Sequence, residues 1–124
     1  MRKIQHFSYD GKITEQTYKR KRLTIDFFHH QNLNGRTYTY SYIKFDDVHY
    51  ENESYFSVAS HELPLVCKFK RVRVNGHCVR IPLNHEEYLQ REYGDGWKIP
   101  NPDWQENQNQ YRIVENKKGI KIAF

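Results

Sequence analysis

The chain has 124 residues and a net charge of +5 from 20 lysines and arginines against 15 acids, and it is 37% hydrophobic yet 15% aromatic, with ten Tyr and seven Phe. That aromatic content excludes a disordered segment and points to one domain with an aromatic rather than aliphatic core. No apolar run approaches the roughly 18 residues a membrane-crossing helix needs, and the start, MRKIQHFSYDGK, lacks the apolar stretch of a signal peptide, so a soluble chain is expected.

From the N-terminus, Asp10-Gly11 marks a turn within a polar approach. The run KRKR at Lys19 to Arg22 is the densest basic stretch, the composition of a solvated loop or an anion-binding patch. RLTIDFFHH, Arg22 to His30, reads as a strand with a nearly continuous apolar body, hence covered on both faces. NLNG at Asn32 to Gly35 is a turn. RTYTYSYIKF, Arg36 to Phe45, alternates Tyr38, Tyr40 and Tyr42 with small polar residues, the pattern of a strand with an aromatic face. Residues 46–62 read as polar and irregular.

CKFKRVRVNGHCVRIP contains two β-rich runs around Asn75-Gly76, the strongest short-range hairpin signal, because both central positions of a type I′ turn need positive φ. The turn sets the register: residue 74 faces 77, 72 faces 79, and Arg71 faces Arg80. Cys78 then faces Arg73, with Cys67 about 20 Å away at about 3.3 Å per residue, beyond disulfide reach. Two free thiols are expected, since the spacing also fits no zinc site.

PLNHEEYLQREYG supplies the one good helix, Asn84 to Tyr93. Asn84 stands at the N-cap with Glu87 at capping-box spacing, acids occupy the first turn, and Gly94 is placed to end the helix in the left-handed conformation. Trp97, Pro100, Pro102 and Trp104 follow as a rigid aromatic corner. QENQNQ, Gln105 to Gln110, is a polar spacer, and YRIV with GIKIAF adds a final strand or pair.

Three features carry possible chemistry. Asp26, flanked by Ile25 and Phe27, is costly in an apolar setting unless it meets a cation or donors. It serves a metal or catalytic site, or it points off a strand edge and pairs with a lysine. Arg71 opposite Arg80 is a like-charged cross-strand pair that an anion between them, a phosphate for instance, would relieve; the alternative is two solvated side chains splaying apart. His29 and His30 point to opposite strand faces and cannot share a metal, and Asp46-Asp47 diverge for the same reason.

VRIPLNHEEYLQREYGDGWKIP resembles the C-terminal signature of the fukutin and LicD-type phosphotransferase family: a hairpin ending in Pro82, Glu87-Tyr88-Leu89 on a short helix, Tyr93-Gly94, Trp97 and Pro100. KRLTIDFFHH resembles that family's strand with a metal-site or catalytic aspartate, here Asp26, and the likeness runs from about Lys21 to Trp104. The resemblance implies an α+β fold, part of a nucleotidyltransferase-like domain rich in strands with one short helix, over residues 21–104, flanked by an approach at 1–20 and a spacer and terminal strand at 105–124. It implies transfer of a phosphorylated alcohol, ribitol phosphate or phosphocholine, from a CDP-linked donor to a glycan hydroxyl, with Mg²⁺ or Mn²⁺ as cofactor and a Golgi or secretory-membrane setting for the parent protein. Asp26 takes the catalytic and metal role. Arg71, Arg80, Tyr93, Trp97 and Lys98 are placed for substrate binding. The family's D-x-D pair on an earlier strand has no counterpart here, so the chain is expected to be the C-terminal part of a longer enzyme, or a non-catalytic remnant. A rival from another class is a basic module whose tyrosine-rich strand stacks single-stranded nucleic acid.

Overall fold

The computed structural model describes residues 1–105 and 111–124, and positions 44, 47–50, 111, 113, 115 and 116 through the backbone alone. Nine strands and one helix follow in the order β1 (Arg2–Tyr9), β2 (Lys12–Arg20), β3 (Leu23–Phe28), β4 (Gln31–Leu33), β5 (Arg36–Tyr50), β6 (Glu53–Leu63), β7 (Phe69–Val74), β8 (His77–Pro82), α1 (His85–Tyr93) and β9 (Tyr111–Ala123). Seven strands form one antiparallel sheet in the order β3-β2-β1-β9-β6-β5-β4, while β7 and β8 form a separate two-stranded ribbon.

Turn chemistry explains the hairpins. Asn75 and Gly76 both take positive φ, 49° and 78°, as a two-residue hairpin requires. Asp10-Gly11 and Asn34-Gly35 repeat the pattern, and Lys21 and Glu51 take positive φ at the other two hairpin turns. The chain therefore makes two local three-stranded meanders, β1 to β3 and β4 to β6. Their shared ladder is β9, which pairs with β1 on one side and β6 on the other. β3 and β4 lie at opposite edges of the sheet, yet only His29 and His30 separate them in sequence. The sheet must curl to bring those edges together.

Inside the curl, Phe7, Phe56 and Val58 are buried and ringed by Tyr9, Tyr40, Phe45 and Val114. The rings of Phe7 and Phe56 meet edge to face at 5.4 Å, and Tyr42 stacks on Phe7 at 5.5 Å, so the tyrosine stripe of β5 does face an aromatic core. Across the ladder from Phe56 stands Gly119. The other face of β6 buries Ala59, His61 and Leu63, with Thr37 of β5 paired to Leu63.

Several expectations are corrected. The α+β, nucleotidyltransferase-like fold is overturned: strands make up 62% of the chain and helix 8%. An α+β layer needs helices to cover a sheet face, and the one helix among the described residues is nine residues long with none of them buried. β3 is an edge strand with Leu23, Phe27 and Phe28 exposed, not a strand covered on both faces; a continuous apolar run does not distinguish the two by itself. Residues 46–62 are mostly strand, the far end of β5 and β6 joined at Glu51-Asn52. The approach at 1–20 is two strands, β1 and β2, joined by the Asp10-Gly11 turn.

The hairpin register agrees residue for residue, including Arg71 opposite Arg80 and Cys78 opposite Arg73, and both cysteines are free. Helix α1 begins without the expected side-chain cap: the Asn84 amide donates instead to the Leu65 carbonyl at 3.0 Å and to Glu87 Oε2 at 3.4 Å. Gly94 has φ 85° but ψ −178°, a conformation outside the left-handed helical region, and its N–H bonds the Gln90 carbonyl. The polar spacer lies, beyond Gln105, outside the described residues.

Candidate functional site

A cavity of about 820 Å³ opens between the edge of the sheet, the ribbon and α1. His30 and Asn32, at the β3–β4 junction, form one side. Val66 and Cys67, in the segment leaving β6, form the next. Phe69, Ile81 and Pro82 come from the ribbon, and His85, Tyr88 and Leu89 from α1. Its size and apolar walls are those of a small-molecule site.

Each wall is held by polar contacts. Thr37, fully buried, donates to Asn32 Oδ1 at 2.6 Å and accepts from the Val66 N–H at 2.8 Å, while Asn32 Nδ2 donates to the Val66 carbonyl at 2.9 Å. This closed ring of bonds ties β4, β5 and the 64–68 segment together. Helix α1 is tied by Arg91 Nε to the Glu62 carbonyl at 3.1 Å, by the buried His61, whose Nε2 lies 3.3 Å from Glu92 Oε1, and by His30 to the Tyr88 hydroxyl at 2.8 Å.

Burial, then the charge of Glu92 and the neighbouring Tyr93, push the Tyr88 phenol up to about 12, so the phenol stays neutral in its contact with His30 Nε2. Burial of the ring holds the His30 pKa below 6.5, reinforced by His29 and His61 and opposed by the Phe28 carbonyl and Glu92. A folded pKa below the unfolded one gives stability that is complete above 6.5 and is lost as pH falls through 6.5 toward the folded value. Denaturant midpoints measured from about pH 8 down to about pH 5 are expected to fall less for His30→Gln than for the parent chain, since only the parent must charge this ring. Parallel curves would remove His30 from the pH response.

The candidates from the sequence fall into separate places. Arg71 and Arg80 face each other on the exposed ribbon, and the Arg80 guanidinium sits 5.0 Å from the centre of the Phe69 ring, itself a cavity wall. Among the described residues no carboxylate lies within ion-pair distance of either arginine. Tyr93 packs against Trp104 at 5.1 Å, and Trp104 Nε1 donates to the Tyr93 carbonyl. Trp97 is half-buried with the Lys98 ammonium 5.3 Å from its ring centre, so Trp104 rather than Trp97 closes the corner onto α1. None of Tyr93, Trp97, Lys98 and Trp104 lines the cavity.

Asp26 is exposed on β3, paired with Thr17, and is not a cavity residue. Its neighbour is Glu15, whose carboxyl is pushed up by burial and by the Asp26 charge and drawn down by Lys121. Asp46 pairs with Lys118 at 3.1 Å. Among the described residues no three His, Cys, Asp or Glu side chains gather as a metal site. The donor set at Asp26 is two carboxylates, short of the oxygen shell that Mg²⁺ or Mn²⁺ requires, so no step is routed through a metal.

His30 is the site residue that the sequence leaves undistinguished from His29. Both lie in the two-residue link between β3 and β4, and only the curl of the sheet brings His30 to Tyr88. No described helix is long and apolar enough to cross a membrane. Set against protein-family models, curated proteins and solved structures, the chain matches none of them.

Proposed function

We propose that the chain is a substrate-binding part of a transferase that moves a phosphorylated alcohol, of the ribitol phosphate or phosphocholine type, from a CDP-linked donor to a glycan hydroxyl in the secretory pathway. The observation that carries this reading is a coincidence of sequence and geometry: Pro82, Tyr88 and Leu89, members of the motif that resembles the fukutin and LicD-type family, wall the cavity of about 820 Å³. Arg80 supplies positive charge beside it, and positioning with charge stabilisation is most of what phosphoryl transfer asks of a protein. On this reading the divalent-metal carboxylates come from elsewhere in the enzyme, and this chain binds and orients. Asp26, Tyr93, Trp97 and Lys98 are secondary, because the cavity does not include them.

The test is an NMR titration of the chain with CDP-choline and CDP-ribitol, with and without Mg²⁺. Saturable shifts at His30, Tyr88 and Val66 are expected. Absence of shifts at millimolar donor would remove the reading.

A second reading rests on the ribbon. No acid occurs from Leu63 to His85, and Lys70, Arg71, Arg73 and Arg80 are all exposed there. Such a surface suits single-stranded nucleic acid, for which binding would weaken steeply with salt.

A further inference from the structure

Alternation along the two strands sorts the ribbon into unlike faces. Val72, Val74, Val79 and Ile81 fall on one, while Phe69, Arg71, Arg73 and Arg80 fall on the other. Among the described residues no carboxylate pairs with Arg71 or Arg80 on the arginine face. Arg71 and Arg80 are directly opposed, and like charges in that position repel unless an anion lies between them.

Beside this face lies the cavity, and four of its walls are rings: His30, Phe69, His85 and Tyr88. Phe69 belongs to both places. It lines the cavity and carries the Arg80 guanidinium over its ring. Most polar groups in the wall are already engaged: Asn32 bonds Thr37 and Val66, and His30 bonds Tyr88.

We propose that the ring-walled cavity and the Arg71–Arg80 pair at its rim are one bipartite site for a phosphate ester of a planar ring compound. The ring lies among Phe69, Tyr88 and His85. The phosphate meets the guanidinium of Arg80 and that of Arg71 across the ladder, the fork geometry that arginine offers to phosphate oxygens. This deepens the substrate-binding reading by saying which part of the ligand each half holds, and it rests on that reading only for treating the cavity as a functional cleft.

The experiment uses the full chain with three probes, CMP, cytidine and inorganic phosphate, followed by NMR shifts and by the rate of Cys67 alkylation in a Cys78→Ser background. CMP is expected to shift His85 and Arg80 resonances together, to slow Cys67 alkylation, and to bind at least about tenfold tighter than cytidine or phosphate alone. Arg80→Gln is expected to lower CMP affinity by about tenfold or more and to leave cytidine unchanged. Arg80 is exposed, and an unchanged amide spectrum elsewhere confirms that the variant folds. CMP binding that is indifferent to Arg80→Gln and Arg71→Gln overturns the bipartite site, as does a CMP affinity no better than that of cytidine. The two readings separate cleanly. CDP-alcohols that bind without dependence on Arg80 leave the transferase reading standing and sink this one. Arg80-dependent CMP binding, with CDP-choline and CDP-ribitol failing to bind, does the reverse.

Discussion

Gly119→Ala is expected to unfold or severely destabilise the chain, with the Phe56 ring as the cause. Gly119 faces Phe56 across the β6–β9 ladder, and a Cβ there would fall inside the van der Waals envelope of Phe56 Cε2 and Cζ. The ring cannot step aside cheaply. It is 2% exposed and meets Phe7 at 5.4 Å, Phe45 at 5.8 Å and Tyr42 at 6.3 Å. Overpacking a filled core costs about 1–3 kcal/mol and at times more, a large share of the roughly 5–15 kcal/mol that holds a domain folded. The backbone beside it is held as well: Gly119 pairs with β6, and residues 120–123 pair with β1. Thermal or urea unfolding of Gly119→Ala measures the loss. The double variant Gly119→Ala with Phe56→Leu should lose less than the two single changes added together, because the smaller side chain makes room. An alanine within about 0.5 kcal/mol of the parent would show that the ring is free to move.

Thr37→Val is expected to cost about 1–3 kcal/mol and to loosen the cavity wall. Valine keeps the shape and deletes the hydroxyl, so the N–H of the half-buried Val66 and Asn32 Oδ1 lose the fully buried partner they share. A donor or acceptor stripped of its partner costs stability to the extent that water cannot replace it. The signature is local as well as global: amide exchange at Val66 should accelerate, and any ligand that enters the cavity should bind more weakly. Thr37→Ser, which retains the hydroxyl, should keep both properties near those of the parent. Equal stability of the Val and Ser variants would mean that the bond ring contributes nothing.

How far the sequence revealed the molecule depends on the range of the interactions involved. The ribbon was legible because Asn75-Gly76 dictates its register within fourteen residues, Phe69 to Pro82. The helix was legible through its Asn84 start, glycine stop and acidic first turn, yet the side-chain cap is missing: Asn84 spends its amide on Leu65, a tie to a distant wall that no local pattern contains. β2, KITEQTYKR, and β6, ESYFSVASHEL, looked polar because their buried positions are partly threonine, alanine and histidine rather than large apolar residues. The apolar run of β3 misled in the opposite direction, since an edge strand can carry Phe27 and Phe28 in the open. The cavity was invisible for a simpler reason. Its walls come from residues 30–32, 66–69 and 81–89, and only the curl of the sheet brings them together.

The place of β9 also sets when the molecule can exist during its own synthesis. Each meander is assembled from neighbours in sequence, and both can pair as they leave the ribosome. They cannot become one sheet until the strand that separates them has been made, and that strand is encoded after everything else described here. Until then β1 and β6 present raw inner edges, the kind of exposed template on which other chains pair. Closure by distant segments is also the slow part of β folding. β9 is therefore the keystone: without it β1 and β6 share no neighbour, and the two meanders are separate sheets with open flanks.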